Sequence, residues 1–263
     1  MDDILIFTKD IEEHRAVTRE VLTILRENNL FLKPEKCEWE KTKVEYLGVI
    51  VSEEGVEMDP AKVEAVREWP APKDKRELQQ FLGFANYYQR FISRFADIAW
   101  PLHKLTGNTP WTWTRQESTA FLTLKNAITS APTLALPTDT DPYRVEADSS
   151  GYATGAMLSQ CQNGIWRPIA FLSRSLNGIE RNYEIHDREM LAIMRALEEW
   201  RHHLQGAHCP IKIHTDHKNL KYFMTAKKLN HRQARWSLEL SNFDFSLVHK
   251  PGRTMGKADA LSR

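Results

Sequence analysis

The chain has 263 residues, 36 Lys+Arg against 35 Asp+Glu, 41% hydrophobic and 27% charged residues. That is the balance of a water-soluble globular protein with more than one folding unit. No apolar run approaches the roughly 20 residues of a membrane span, and the start, MDDILIFTKD, lacks the basic region of a secretory signal, so no membrane partner is expected. Cys37, Cys161 and Cys209 lie far apart without zinc-ligand or disulfide-framework spacing, which fits an intracellular, reducing compartment.

The net charge of +1 conceals an asymmetry. Residues 1–140 carry 18 Lys+Arg against 22 Asp+Glu, whereas residues 141–263 carry 18 against 13 and hold eight of the ten histidines. A basic second half suits a polyanionic partner, although a solvated surface would read the same way.

Ile4 to Phe7 reads as a short buried strand, and Asp10 with Glu13 as a capping box opening a helix with Ile11, His14, Val17, Val21 and Ile24/Leu25 on one face. Val44 to Ser52 and Gly55 to Met58 read as two strands around a turn at 52–55. Asp59-Pro60 is a helix start, and Asp74 with Glu77 opens a further helix with Leu78, Phe81, Leu82, Ala85 and Phe91/Ile92 on one stripe. Phe84, Tyr87 and Tyr88 extend this aromatic run as packing. Pro101 is read as ending the next segment. Trp111 and Trp113 precede an amphipathic helix through Phe121, Leu124 and Ile128, and the polar, Pro-bounded stretch 136–142 is a domain boundary.

Beyond Pro142 the pattern becomes three strands (143–147, 153–160, 165–173), then a long helix from about Glu184 to Leu204 stopped by Gly206. A strand at 211–215, helical segments to about Ser241, a strand at 243–249 and a short last helix follow. This succession predicts an α/β fold, a mixed sheet with helices on its faces.

Four carboxylates occupy telling places: Asp148 after the first of these strands, Glu189 in the first turns of the long helix, Asp216 after the strand 211–215, and Asp259 in the last helix. Converging at one sheet edge they would repel one another and require cations. Hard oxygen donors suit Mg²⁺, or Mn²⁺, and two such ions about 4 Å apart can activate a water and stabilise a leaving 3′-oxygen. Taken singly, an Asp after a strand is usually a turn former and Asp259 is readable as a helix-dipole partner, so spacing alone does not settle the matter.

The local sequences around these residues carry more. Glu146-Ala147-Asp148-Ser149-Ser150, Asp187-Arg188-Glu189-Met190-Leu191-Ala192, His214-Thr215-Asp216-His217-Lys218 and Ala258-Asp259-Ala260-Leu261-Ser262-Arg263 resemble, in order, the four motifs of the RNase H domain in gypsy-type long-terminal-repeat retrotransposon polyproteins. Pro168-Ile169-Ala170-Phe171-Leu172-Ser173-Arg174 is similar to that family's third strand. The front half resembles the reverse transcriptase upstream: Asp2-Asp3 with Ile4 to Phe7 looks like the end of the palm's Y-x-D-D motif, Glu45-Tyr46-Leu47-Gly48 like the primer grip, and Phe81 to Tyr88 like part of the thumb.

The resemblance implies an RNase H-like five-stranded mixed sheet over 141–263, a palm remnant over 1–58, thumb-like helices over 59–106 and a connection over 107–140. It implies cleavage of the RNA strand of RNA–DNA hybrids, with Asp148, Glu189, Asp216 and Asp259 as metal ligands and catalytic residues, and 2′-hydroxyl contacts selecting the RNA. His249 is a candidate proton shuttle, as is His217. Arg174, Lys218 and Arg253 are candidate substrate contacts. Lys221, Lys227, Lys228, Arg232 and Arg235 stay open between substrate grip and solvated face, while Tyr222, Phe223 and Trp236 among them read as core.

Asp2 and Asp3 are a polymerase remnant without the further metal-binding Asp of the palm, and the fingers and most of the palm of the parent polyprotein are missing partners. No DNA synthesis is expected from this chain alone. The competing reading is a catalytically silent nucleic-acid-binding scaffold of a reverse transcriptase.

Overall fold

The structure, a computed structural model, describes residues 3–216 and 229–250. Residues 3–8 form no strand, contrary to expectation, and Ile4 and Phe7 are exposed. Among the described residues the four-residue apolar run finds no neighbouring strand to take up its backbone groups, and composition alone cannot supply one. Helix α1 (Ile11–Glu27) forms as its cap predicts, with the Asp10 carboxylate accepting from the Glu12 and Glu13 amides at 2.9 and 3.1 Å. It buries none of its residues.

A three-stranded antiparallel sheet follows, from β1 (Lys43–Tyr46), β2 (Val49–Ser52) and β3 (Gly55–Met58). The expected single strand over 44–52 is two strands, because Leu47 (φ 47°) and Gly48 (φ 73°) turn the chain back on itself. Positive φ at both central residues matches the right-handed twist of a hairpin. The Tyr88 hydroxyl donates to the Gly48 carbonyl at 2.9 Å and the Tyr87 hydroxyl to that of Leu47, so the turn is held by the next helical unit.

That unit comprises α2 (Pro60–Arg67), α3 (Lys75–Tyr87), α4 (Phe95–Thr106) and α5 (Arg115–Thr129). Asp59, Asp74 and Thr114 cap α2, α3 and α5 through their side chains. Pro101 does not end a helix but lies inside α4, where Ala99, Leu102 and Leu105 are buried on either side of it. Burial of that face outweighs the one backbone hydrogen bond that Pro forfeits. Val66, Leu78, Phe81, Leu102, Leu124 and Ile128 form the centre of this first core.

The second core lies on a five-stranded sheet of order β6-β5-β4-β7-β8, built from β4 (Tyr143–Ser149), β5 (Ala153–Gln162), β6 (Ile165–Ser175), β7 (Ile211–Thr215) and β8 (Phe245–His249). β4, β5 and β6 pair antiparallel, while β7 and β8 continue parallel to β4. This is the mixed α/β sheet the sequence predicts. Pro168, which cannot donate to the ladder, lies on the edge strand β6 beside a register shift at Leu158/Ser159. Helices α6 (Ile185–Glu199), α7 (Arg201–Leu204) and α8 (His231–Leu240) complete this unit. The expected continuous helix to Leu204 breaks at Trp200, where the last turn tightens through a hydrogen bond from the His203 amide to the Trp200 carbonyl at 2.9 Å. Ile193, Leu197, Trp200 and Leu204 are nonetheless all buried with Val145, Leu158 and Ile213.

The two cores meet within the segment between α5 and β4. Leu134 belongs to the first and exchanges two backbone hydrogen bonds with Val56, at 2.7 and 2.8 Å. Ala135 belongs to the second, and its amide donates to the Pro168 carbonyl at 2.7 Å. Gly55, at φ +136°, permits this close passage, since a Cβ there would come within 2.1 Å of the Leu134 carbonyl oxygen. Replacing it, as Gly55→Ala, is predicted to lower unfolding free energy by about 2 kcal/mol or more through strain and displacement of that crossing. Chemical denaturation measures this, and a variant of parent stability would contradict the account.

Candidate metal centre

β4 is the strand at which the sheet changes from antiparallel to parallel, and the carboxyl ends of β4 and β7 lie side by side. Glu146 pairs with His214 in register, so Asp148 and Asp216, each two residues further along, follow on the same face. Val145, Ala147, Ile211 and Ile213, pointing the other way, are buried against α6. Strand alternation thus puts aliphatic side chains into the core and carboxylates at its rim. Glu189 enters from the first turns of α6, its side chain buried at 3% exposure, whereas Asp148 and Asp216 keep solvent-facing sides. One carboxylate oxygen from each of the three lies within 4.8 Å of the others.

The neighbourhood is electrostatically uncomfortable without a cation. Enclosure by protein, and then the charges of Asp148 and Asp216, push Glu189 up to about 7, against the opposing effect of the Ser149 hydroxyl. Partial enclosure, then Asp216, also raises Asp148, while the Ser149 amide and the Arg94 guanidinium pull it down. Ser149 donates to Glu189 Oε1 through its hydroxyl at 2.6 Å and its amide at 3.1 Å. The other oxygen, Oε2, is buried and has no hydrogen-bond partner among the described residues. A buried, unpartnered carboxylate oxygen on a residue clustered with two further carboxylates is what a hard divalent cation would satisfy, so these residues fit such an ion.

Of the other candidates, His249 ends β8 opposite Thr215, one residue from Asp216, and so comes to the same end of the sheet. Arg174 does not join the cluster; it lies on β6, 3.9 Å from Glu199 near the end of α6. Asp3 is exposed outside any helix or strand. Asp2, His217, Lys218, Lys221, Tyr222, Phe223, Lys227, Lys228, Arg253 and Asp259 lie outside the described residues. Arg232 is half-buried. It turns inward to pair with Asp187, two residues from Glu189, and its guanidinium lies 3.7 Å from the centre of the Tyr183 ring. Gln233 adds a hydrogen bond to the same carboxylate at 3.0 Å, so α8 is locked onto the start of α6. Arg235 is exposed, and Trp236 is core as expected. Composition and spacing did not single out Ser149 and Asp187, although both stand inside the motifs already quoted.

Fold and carboxylate cluster together are those of an RNase H-like domain. The family model for reverse transcriptase (RNA-dependent DNA polymerase) matches residues 1–51, and that for the RNase H-like domain found in reverse transcriptase matches residues 138–243. Over its whole length the chain is 38% identical to the retrovirus-related Pol polyprotein from transposon opus of Drosophila melanogaster and 36% identical to the transposon Tf2-3 polyprotein of Schizosaccharomyces pombe. It spans 27% and 20% of those polyproteins.

Among solved structures, the foamy viral protease-reverse transcriptase bound to RNA/DNA hybrid superposes with a TM-score of 0.74 at 19% identity, over 94% of this chain and 34% of that one. A dRH form of it bound to double-stranded DNA gives 0.75 at 19% identity, over 93% and 44%. The chain belongs to the reverse transcriptase and RNase H portion of retrotransposon Pol polyproteins. RNase H-like domains use divalent metal, and the acidic triad is where this one could bind it. Among the described residues no helix is long and apolar enough to cross a membrane.

The raised Glu189 has a consequence for stability. Its folded pKa of about 7 exceeds the ordinary 4.5, so its stabilising effect is complete below pH 4.5 and is lost as pH rises towards 7. In metal-free protein, Glu189→Gln is therefore predicted to gain on the parent across that window, by on the order of 3 kcal/mol at pH 8. Denaturation of both proteins at several pH values checks this; a difference independent of pH would contradict it.

Proposed function

We propose that the chain cleaves the RNA strand of RNA–DNA hybrids with Mg²⁺, leaving a 5′-phosphate and a 3′-hydroxyl. The observation that carries this reading is the convergence of Asp148, Glu189 and Asp216 within 4.8 Å at the carboxyl ends of two parallel strands and the start of α6. Asp148 and Asp216 at the rim would reach both metal and substrate, Glu189 would hold the metal from beneath, and Asp259 would be the fourth ligand. Two Mg²⁺ ions held there would activate a water for in-line attack and stabilise the leaving 3′-oxygen.

Ser149 keeps one Glu189 oxygen occupied, which leaves the other free to serve as a ligand. His249, near Asp216, would take a proton from the product. The RNA strand would be chosen through its 2′-hydroxyls. Within this reading, residues 1–58 are the palm remnant with its primer-grip hairpin, 59–106 the thumb, 107–140 the connection and 141–263 the nuclease domain. The handover between cores at Leu134 and Ala135 supports a boundary near the last of these. DNA synthesis is assigned to the larger polyprotein, not to this chain alone, and the nuclease would work inside the cell.

A labelled hybrid incubated with the full chain and Mg²⁺ tests the reading. Cleavage confined to the RNA strand and abolished by chelation is expected. Asp148→Asn and Asp216→Asn should each lower kcat at least about a hundredfold, because bound metal contributes several kcal/mol of charge stabilisation. Ser149→Ala, which removes only a hydrogen bond to a ligand, should cost about tenfold. Binding without cutting would favour the silent scaffold, and undiminished cutting by Asp148→Asn would place the chemistry elsewhere.

A further inference from the structure

Helix α4 belongs to the first core yet lies along the β4–β5 turn that follows Asp148. Arg94, Asp97 and Trp100, three residues apart, line this seam. Asp97 Oδ1 accepts a hydrogen bond from the Ser150 hydroxyl at 2.6 Å, and the same hydroxyl accepts from the Tyr152 and Ala153 amides at 3.1 and 2.9 Å. Trp100 stacks on Tyr152 with ring centres 5.6 Å apart, and the Ala96 amide donates to the Ser173 hydroxyl on β6 at 2.9 Å. The turn two residues beyond Asp148 is thereby fastened to a helix outside the RNase H-like domain.

Arg94 opens α4 in a left-handed conformation, φ 54° and ψ 31°, with its side chain capping nothing. An L residue there costs roughly 1–2 kcal/mol. Leu47 and Asn163 adopt positive φ in hairpin turns, Asn29 just after a helix and Glu40 in a bend, whereas Arg94 does so in the turn that leads into α4, beside the metal centre. Its Nε donates to Asp97 Oδ2 at 3.3 Å, an exposed pair three residues apart. Such a pair returns at most about 1 kcal/mol and does not account for an arginine where glycine or asparagine would fit without strain. Its terminal guanidinium nitrogens make no hydrogen bond among the described residues. Asp97 meanwhile holds the backbone turn with one oxygen and the guanidinium with the other.

We infer that Arg94 is a phosphate ligand of the nucleic-acid substrate beside the metal centre, contributed from outside the RNase H-like domain and aimed by Asp97 as a positioning residue. A guanidinium steadied at Nε still offers its terminal donors to a phosphate, and beside Asp148 it supplies the cation that a backbone phosphate needs on approach. The contact would be blind to base sequence. Its placement is consistent with the lowering influence of Arg94 on the Asp148 carboxyl.

The inference rests on the hybrid-nuclease reading, and the two can fail separately. The full chain, Arg94→Gly and Arg94→Lys are compared for binding a labelled RNA–DNA hybrid with Ca²⁺ in place of Mg²⁺, across a salt series, and for KM and kcat with Mg²⁺. Glycine accepts the left-handed backbone, so Arg94→Gly should melt no lower than the parent. It should bind hybrid about five- to tenfold more weakly, raise KM with kcat within about twofold, and reduce the slope of log affinity against log salt by about one phosphate contact. Arg94→Lys should regain that slope.

Parent affinity and slope in Arg94→Gly would overturn the inference while leaving the nuclease reading intact. An affinity loss with unchanged slope, or one tracking a lowered melting temperature, would likewise overturn it. A parent chain that neither binds nor cuts hybrid would overturn both.

Discussion

The parallel pairing of β4 with β7 is the constraint from which the site follows. Once Glu146 and His214 share a register, Asp148 and Asp216 must leave the sheet side by side on the face opposite Val145 and Ile213. The crossover between these strands brings α6 across the sheet, and Glu189 in its first turns arrives beneath both. Three negative charges then share a volume less than 5 Å across with one of them buried. Burial and the neighbouring charges raise Glu189 and Asp148 above the ordinary carboxylate range, and a divalent cation would relieve that conflict. The aliphatic half of the same strands supplies the compensating burial.

The remainder of the molecule holds this arrangement still. Ser149 ties the end of β4 to Glu189, and Ser150 ties the next residue to Asp97 of α4, while Arg188 reaches the Ser150 carbonyl at 3.4 Å. On the other side, Arg232 and Gln233 secure the start of α6 to α8 through the buried Asp187. The upstream unit is therefore no passive tether. Its core adjoins the sheet's core at Leu134 and Ala135, and its helix α4 shares a hydrogen-bonded seam with the turn after Asp148.

Much of this was legible in the sequence where the governing physics is local. Asp10, Asp59 and Asp74 start helices because capping depends on residues a few positions away. Asp148 and Asp216 could be placed at strand ends because two-residue alternation runs up to them. The errors arose where tertiary context decides. Ile4 to Phe7 have strand composition but no neighbouring strand among the described residues, and Pro101 is tolerated inside α4 by the packing on either side of it. Leu47-Gly48 shows no asparagine or aspartate to advertise its hairpin turn, and the Tyr87 and Tyr88 hydroxyls that stabilise it come from 40 residues away. The pairing of Arg232 with Asp187 is not legible locally, because that partner lies 45 residues earlier. Arg94 was invisible for the same reason: nothing in its own neighbourhood says that α4 docks beside Asp148.

The central claim is that Asp148, Glu189 and Asp216 jointly hold a divalent cation, and Mn²⁺ makes it directly observable. Crystals of the full chain grown with Mn²⁺ should give an anomalous-scattering peak within ligand distance of an oxygen from all three side chains, with Glu189 Oε2 among them. Well-ordered crystals in which the three carboxylates stay clustered, yet manganese binds elsewhere or not at all, would contradict the account.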